Sequence, residues 1–217
     1  MMKRRWYSLL FVVCMVSSFV LAACSSSTTS QPAPEPSPTE QPAEQTTQKT
    51  PSDTLMVAIS ADQGTLDPAV TMDNSAWKIT YPAYQRLVEY DGATTVVKPG
   101  LAKEWKLSDD GLTWTFHLQE GNKFADGTEV TAEAVKFTFE RTLKIKNGPA
   151  ETYSVIKEVK AEDPYTVTFV LSENFPPFLS TLAANYGGIV NPKVMEKEQG
   201  GDLGQAFLAD HTMGSGP

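Results

Sequence analysis

Thiol chemistry is almost missing from this chain, whose 217 residues include only Cys14 and Cys24. Cys14 lies inside an apolar N-terminal run, so a disulfide framework is excluded, and a cysteine-based zinc or iron–sulfur site is excluded with it. Histidine is as scarce. His117 and His211 are the two candidate bases near neutral pH, the first on the threonine face of an expected strand and the second in a loop. No Gly-x-Ser-x-Gly elbow occurs, and Gly214-Ser215-Gly216-Pro217 lacks the strand–turn–helix setting of a serine nucleophile. The pairs Gly187-Gly188 and Gly200-Gly201 have neither a phosphate-loop lysine nor dinucleotide fingerprint spacing. Asp109-Asp110 and Glu162-Asp163 flank Gly or Pro turns, where acids serve local hydrogen bonding rather than glycoside hydrolysis. The expectation is a protein with no catalytic residues, no cofactor and no metal.

Long apolar runs are missing too. Residues 9–21 form an apolar stretch of thirteen residues, short of the about twenty that a membrane-crossing helix needs. It follows Lys3, Arg4 and Arg5 and ends in Leu21-Ala22-Ala23-Cys24, which reads as a secretory signal with a lipoprotein cleavage box. Residues 1–23 are therefore expected to be a signal peptide and Cys24 to carry lipid, whose buried methylenes contribute about 0.8 kcal/mol each to membrane attachment. This places the protein on a membrane by a lipid anchor, facing the periplasm or the cell exterior. Basic charge is also short: the signal takes three of the eighteen basic residues, leaving 15 against 26 acids. Such an acidic surface argues against nucleic acid and anionic lipid as partners, and it also serves simply to keep a secreted protein soluble.

What the chain does have begins with a tether. Residues 24–53 are rich in Ser, Thr, Gln, Pro, Ala and Glu, with Pro32, Pro34, Pro36, Pro38 and Pro42 spaced through them. Such a segment cannot bury a core and is expected to be disordered, giving roughly 30 Å of reach by a flexible-chain estimate. Residues 55–60 then read as a strand, 64–68 as a turn, and 74–89 as a helix interrupted by Pro82 and closed by Asp91-Gly92, with Tyr84, Leu87 and Val88 as its stripe. Leu112, Trp114, Phe116 and Leu118 alternate with Thr113, Thr115, His117 and Gln119, so one strand face is apolar. Trp105 and Leu107 repeat the rule across the Ser108–Gly111 turn and suggest a hairpin. Thr131 is placed to cap a helix whose Val135, Phe139 and Leu143 share a face, with Phe137 off that stripe. Tyr165, Val167, Phe169 and Leu171 give another strand after Asp163-Pro164, and Asn191-Pro192 opens a helix stopped at Gly200-Gly201. The mixture of strands and helices implies an α/β body.

The run Pro99-Gly100-Leu101-Ala102, Trp105, Ser108-Asp109-Asp110-Gly111, Thr113-Trp114-Thr115-Phe116-His117-Leu118, Gly121, Phe124, Asp126-Gly127 and Thr131-Ala132-Glu133 resembles bacterial extracellular solute-binding proteins of family 5. These are the dipeptide- and oligopeptide-binding lipoproteins of ABC importers. Thr65-Leu66-Asp67-Pro68 resembles the family's early Leu-Asp-Pro motif, and Gly214-Ser215-Gly216-Pro217 its Gly-Thr-Gly-Pro motif. The resemblance implies a periplasmic-binding-protein-like fold of type II, in the three-domain form, of which only the first lobe and its additional domain are present. On that pattern residues 54–90 and 186–217 are an incomplete first lobe and 91–185 an additional α/β domain. The second lobe, the hinge and most of the ligand cavity would lie beyond Pro217, so the chain reads as an N-terminal fragment.

The same resemblance implies a peptide as ligand, ABC permease and ATPase subunits as partners, and a cleft bordered by Met72, Asp73, Asn74 and Ser75, with Gly214, Ser215 and Gly216 close by. Read without it, the first four residues are a loop and a helix cap. An extended peptide offers backbone donors and acceptors that a strand edge can match whatever its side chains, and closure of two lobes then buries it. Two other readings stand beside this one: the same scaffold carrying a nickel chelate, haem, an oligosaccharide or an opine-like solute, and a secreted lipoprotein hydrolase.

Overall fold

A computed structural model describes residues 57–58 and 62–216. The expected signal peptide, Cys24, the tether and Pro217 lie outside the described residues, as does the strand at 55–60 apart from Val57 and Ala58. Asp67 opens the described fold: its carboxylate accepts from the Ala69 amide and its carbonyl from Val70 and Thr71, which makes the tight turn before the first helix. Helix α1 spans Asn74–Ala83. Asp73 caps it with an extended backbone, its side chain accepting from the Ser75 and Ala76 amides.

The helix does not run to residue 89 as the sequence suggests. Tyr84 turns extended at φ −122° and ψ 120°, and Val88–Tyr90 is strand β1, paired antiparallel with β2, Val97–Pro99. Backbone partners on both sides decide the matter. Ile189 donates to the Gln85 carbonyl, while Leu101 and Ala102 donate to those of Arg86 and Leu87, so this stretch is satisfied as sheet and has no use for helical bonds. Tyr84, Leu87 and Val88 are core residues, but of an extended segment.

Strands β3 (Ala102–Leu107) and β4 (Thr113–Leu118) form the expected hairpin, with Trp105 opposite Phe116 and Leu107 opposite Trp114. The Asp110 carboxylate closes its turn by accepting from the Ser108 hydroxyl and the Leu112 amide, and Gly111 supplies the φ of +72° that the turn requires. On β4 the apolar alternation is realised in full, with Trp114, Phe116 and Leu118 buried. On β3 it is not: this is an edge strand, so Trp105 is half-buried and Leu107 exposed. Helix α2, Ala132–Ile145, follows, with Thr131 at the cap position but making no side-chain cap bond.

Strands β5 (Ile156–Asp163) and β6 (Thr166–Leu171) complete a four-stranded antiparallel sheet of order β3-β4-β6-β5. Helix α2 packs on it, its Phe139 ring meeting Phe169 edge-to-face at 5.0 Å and Tyr153 likewise at 4.9 Å. Short helix α3, Phe178–Leu182, adds Phe178 to the same cluster. The segment after Asn191 is a 3-10 helix, Pro192–Lys197, shorter than the expected helix and finished before Gly200-Gly201. Helix α4, Gln205–Leu208, is the last element.

Among the described residues two apolar clusters result. The larger joins the sheet to α2, α3, Leu87, Val88 and Ile189; the smaller gathers Tyr84, Val190, Val194 and Leu208. Phe137, off the main stripe of α2, packs against the smaller cluster, so α2 serves both. Each fully buried large side chain here contributes about 1.5–3 kcal/mol.

Candidate functional site

The sequence-derived site residues fall into two groups at the two ends of α1, which over ten residues are about 15 Å apart. At the N-terminal end Met72, Asp73 and Asn74 are exposed and Ser75 is half-buried. Asp73 is committed to the helix cap, 2.7 Å from the Ser75 amide. The loop carrying Met72 lies against the turn at Gly148, where a Cβ would collide with the Val70 carbonyl.

At the C-terminal end Gly214 is buried, and Ser215 and Gly216 are half-buried. Gly216 donates its amide to the Ala83 carbonyl at 3.0 Å, and Met213 donates to the Tyr84 hydroxyl at 3.2 Å. A Cβ on Gly214 would strike the Ala83 carbonyl oxygen, and one on Gly216 that of Pro82. Both glycines are required by this close backbone approach. Tyr84 is the pivot: Gly188 packs on its other side, where a Cβ would sit 2.6 Å from the Tyr84 Cβ. Burial pushes the Tyr84 phenol above its ordinary pKa.

Three loops converge on this end. Ala125 donates to the Gly214 carbonyl and Asn191 to that of Met213. Asn191 also donates to the Thr128 hydroxyl at 3.1 Å, and Lys193 reaches the Asp126 carboxylate at 2.9 Å. The Thr128 hydroxyl foremost, and then the Lys193 ammonium, hold the Asp126 carboxyl well below the usual carboxylate range. The Phe-Ala-Asp-Gly loop, the Asn-Pro loop and the Gly-Ser-Gly segment thus form one junction, a grouping that their separation along the chain conceals.

Asp67, of the Leu-Asp-Pro motif, is fully buried and forms a two-pronged ion pair with Arg141 of α2, at 2.9 and 2.6 Å. The Arg141 Nε donates to the Leu203 carbonyl at 2.7 Å, so one guanidinium joins three segments. Arg86, missed in the sequence, is also buried. It donates to the carbonyls of Tyr81, in the last turn of α1, and of Tyr84, just past its end, and lies 3.9 Å over the Tyr81 ring, and burial lowers its pKa.

His117 contacts Thr166 on the threonine face, and His211 pairs with Asp210 in solvent. Among the described residues no group of three or more His, Cys, Asp or Glu could hold a metal ion, and no helix is long and apolar enough to cross a membrane. The loops and helix ends at both groups are made of short polar side chains bonded to one another and of close-packed backbone, an architecture of turns and caps like the signature read from the sequence.

Comparison with known proteins agrees. Residues 96–217 match the sequence profile of bacterial extracellular solute-binding proteins, family 5 middle. The chain is 53% identical over 171 residues to the probable D,D-dipeptide-binding periplasmic protein DdpA of Escherichia coli (strain K12), covering 77% of this chain and 33% of that protein. The periplasmic binding protein DppA of Helicobacter pylori, in complex with the peptide STSA, superposes with a TM-score of 0.62 at 30% identity, over 72% of this chain and 34% of that one. NikZ of Campylobacter jejuni, in complex with Ni(L-His), does so with a TM-score of 0.67 at 27% identity, over 77% and 33%. The class so defined is that of periplasmic solute-binding proteins, which bind rather than catalyse. The chain belongs to family 5 of the bacterial extracellular solute-binding proteins, and it spans about a third of the length of the relatives it matches.

Proposed function

We propose that this chain is the N-terminal part of the lipid-anchored, extracytoplasmic substrate-binding component of an ABC importer, which captures peptides of dipeptide class and delivers them to the permease. The observation that carries the peptide assignment is the 53% identity to a probable D,D-dipeptide-binding protein. Residues 54–90 and 186–217 form the incomplete first lobe in this reading, supported by the small cluster that joins Tyr84 to Val190, Val194 and Leu208. Residues 91–185 form the additional domain around the four-stranded sheet. Met72, Asp73, Asn74 and Ser75 border the cleft, with Gly214, Ser215 and Gly216 near it. Cys24 carries the lipid and residues 24–53 lift the body off the membrane.

A second reading keeps the scaffold and changes the cargo, and the nickel–histidine complex held by one structural relative favours its inclusion. Native mass spectrometry of the purified full-length gene product separates the two. A retained ligand of dipeptide mass, released on unfolding, supports the proposal; a retained nickel chelate or other non-peptide overturns it. Metabolic labelling with palmitate should mark the wild-type protein and not Cys24→Ser, and an unlabelled wild type would refute the anchor.

A further inference from the structure

The junction at the end of α1 contains a closed ring of polar groups. Asn191 Nδ2 donates to the Thr128 hydroxyl at 3.1 Å, and that hydroxyl donates to one oxygen of Asp126 at 2.5 Å. The other Asp126 oxygen accepts from the Lys193 ammonium at 2.9 Å, and the Lys193 amide donates back to Asn191 Oδ1 at 3.0 Å. Both arms of the ring are stiff. The Phe124 amide bonds the Thr128 carbonyl and the Gly127 amide that of Phe124, closing one loop on itself, while Asn191 caps the 3-10 helix of the other. Each arm also grips the segment that ends the described chain: Ala125 donates to the Gly214 carbonyl at 3.2 Å and Asn191 to that of Met213 at 2.9 Å. Two consecutive carbonyls are thus held from two sides, and the ring fixes the distance between the holds. Its ion pair is partly exposed, 46% at Lys193 and 32% at Asp126, and pairs of that kind add little to global stability. What it adds is local geometry, through short charge-assisted bonds.

We propose that this ring is a clasp that positions Gly214, Ser215 and Gly216 for the ligand, so that Asp126, Thr128, Asn191 and Lys193 set affinity without touching the cargo. The inference rests on the proposed function, which puts that segment near the cleft and draws the boundary between additional domain and first lobe between the two arms. Asp126 and Thr128 fall on one side of that boundary and Asn191 and Lys193 on the other, so the clasp also ties the two together. Gly214 and Gly216 have no side chain with which to anchor themselves, and the carbonyls of Ala83 and Pro82 exclude one. The grip on the backbone therefore decides where the segment lies.

Asp126→Asn and Lys193→Met in the full-length gene product test the clasp, with hydrogen exchange across residues 213–216 and calorimetric titration with D,D- and L,L-dialanine as paired readouts. Each variant should speed exchange in this segment severalfold and weaken dipeptide affinity at least about fivefold, while the urea midpoint at neutral pH stays near the wild-type value. Together they should cost little more than either alone, since both cut one interaction, and Lys193→Arg, which keeps the charge, should stay close to wild type. Lys160→Met, which breaks the exposed pair with Glu158 on β5, is the control and should change neither readout. Unchanged exchange in both variants overturns the proposal, and so does faster exchange with unchanged affinity. Weaker binding accompanied by a general loss of stability makes the ring a structural brace and overturns it too. A wild type that takes up no dipeptide counts against the peptide reading instead, and exchange alone then decides the clasp.

Discussion

At the scale of single residues, the Asp67–Arg141 pair carries the heaviest electrostatic consequence. Both side chains are out of water, so removing one leaves the other charged and unpaired, a loss of about 3–5 kcal/mol. Arg141→Met in the full-length protein should lower the denaturant midpoint accordingly, and Asp67→Ala should add little to it, since the two share one interaction. Additive losses would show that they act separately. Asp126 gives a pH signature. Its folded-state pKa is depressed by Thr128 and Lys193, so its stabilisation is full above the unfolded value of about 3.9 and is lost as pH falls below it. Asp126→Asn should flatten the acid limb of a stability–pH curve below that value, and an unchanged limb would contradict the assignment. The sequence singled out Asp67 through its motif but not its partner, because 74 residues separate it from Arg141 and no local pattern links them. The turn acids were legible, since Asp110 and Asp163 act on amides two residues ahead.

At the scale of elements, legibility followed period. Strand β4 showed strict alternation because it is central to the sheet and buried on one face. Strand β5 went unread: its buried Ile156 and Val159 are three apart because the register shifts between Ile156 and Glu158, and a bulge of that kind hides the two-residue period. Residues 84–89 read as helix and fold as extended chain, since a pattern of Tyr84, Leu87 and Val88 fits both periods and only the neighbouring backbone decides. Phe116→Ala, in the middle of β4 and 5.7 Å from Phe169, should cost about 3–5 kcal/mol by urea unfolding. Thr115→Ser on the opposite face should change stability by no more than about 0.5 kcal/mol. Equal losses would mean that the two faces are not divided as described.

At the scale of the whole molecule, the chain supplies a framework: an antiparallel sheet under α2, a second cluster around Tyr84, and a loop junction at the end of α1. The family was readable from the signature between Pro99 and Glu133, which is made of turn glycines and core aromatics. The candidate site was less so, because its two groups are separated along the chain and held apart by the length of α1. On the proposed function, the complete protein grips a dipeptide between this part and the remainder. Titration calorimetry of the full-length gene product against D,D- and L,L-dipeptides is the most direct measurement. The account predicts saturable heat at one dipeptide per protein, and no heat from any member of a varied peptide set would contradict it.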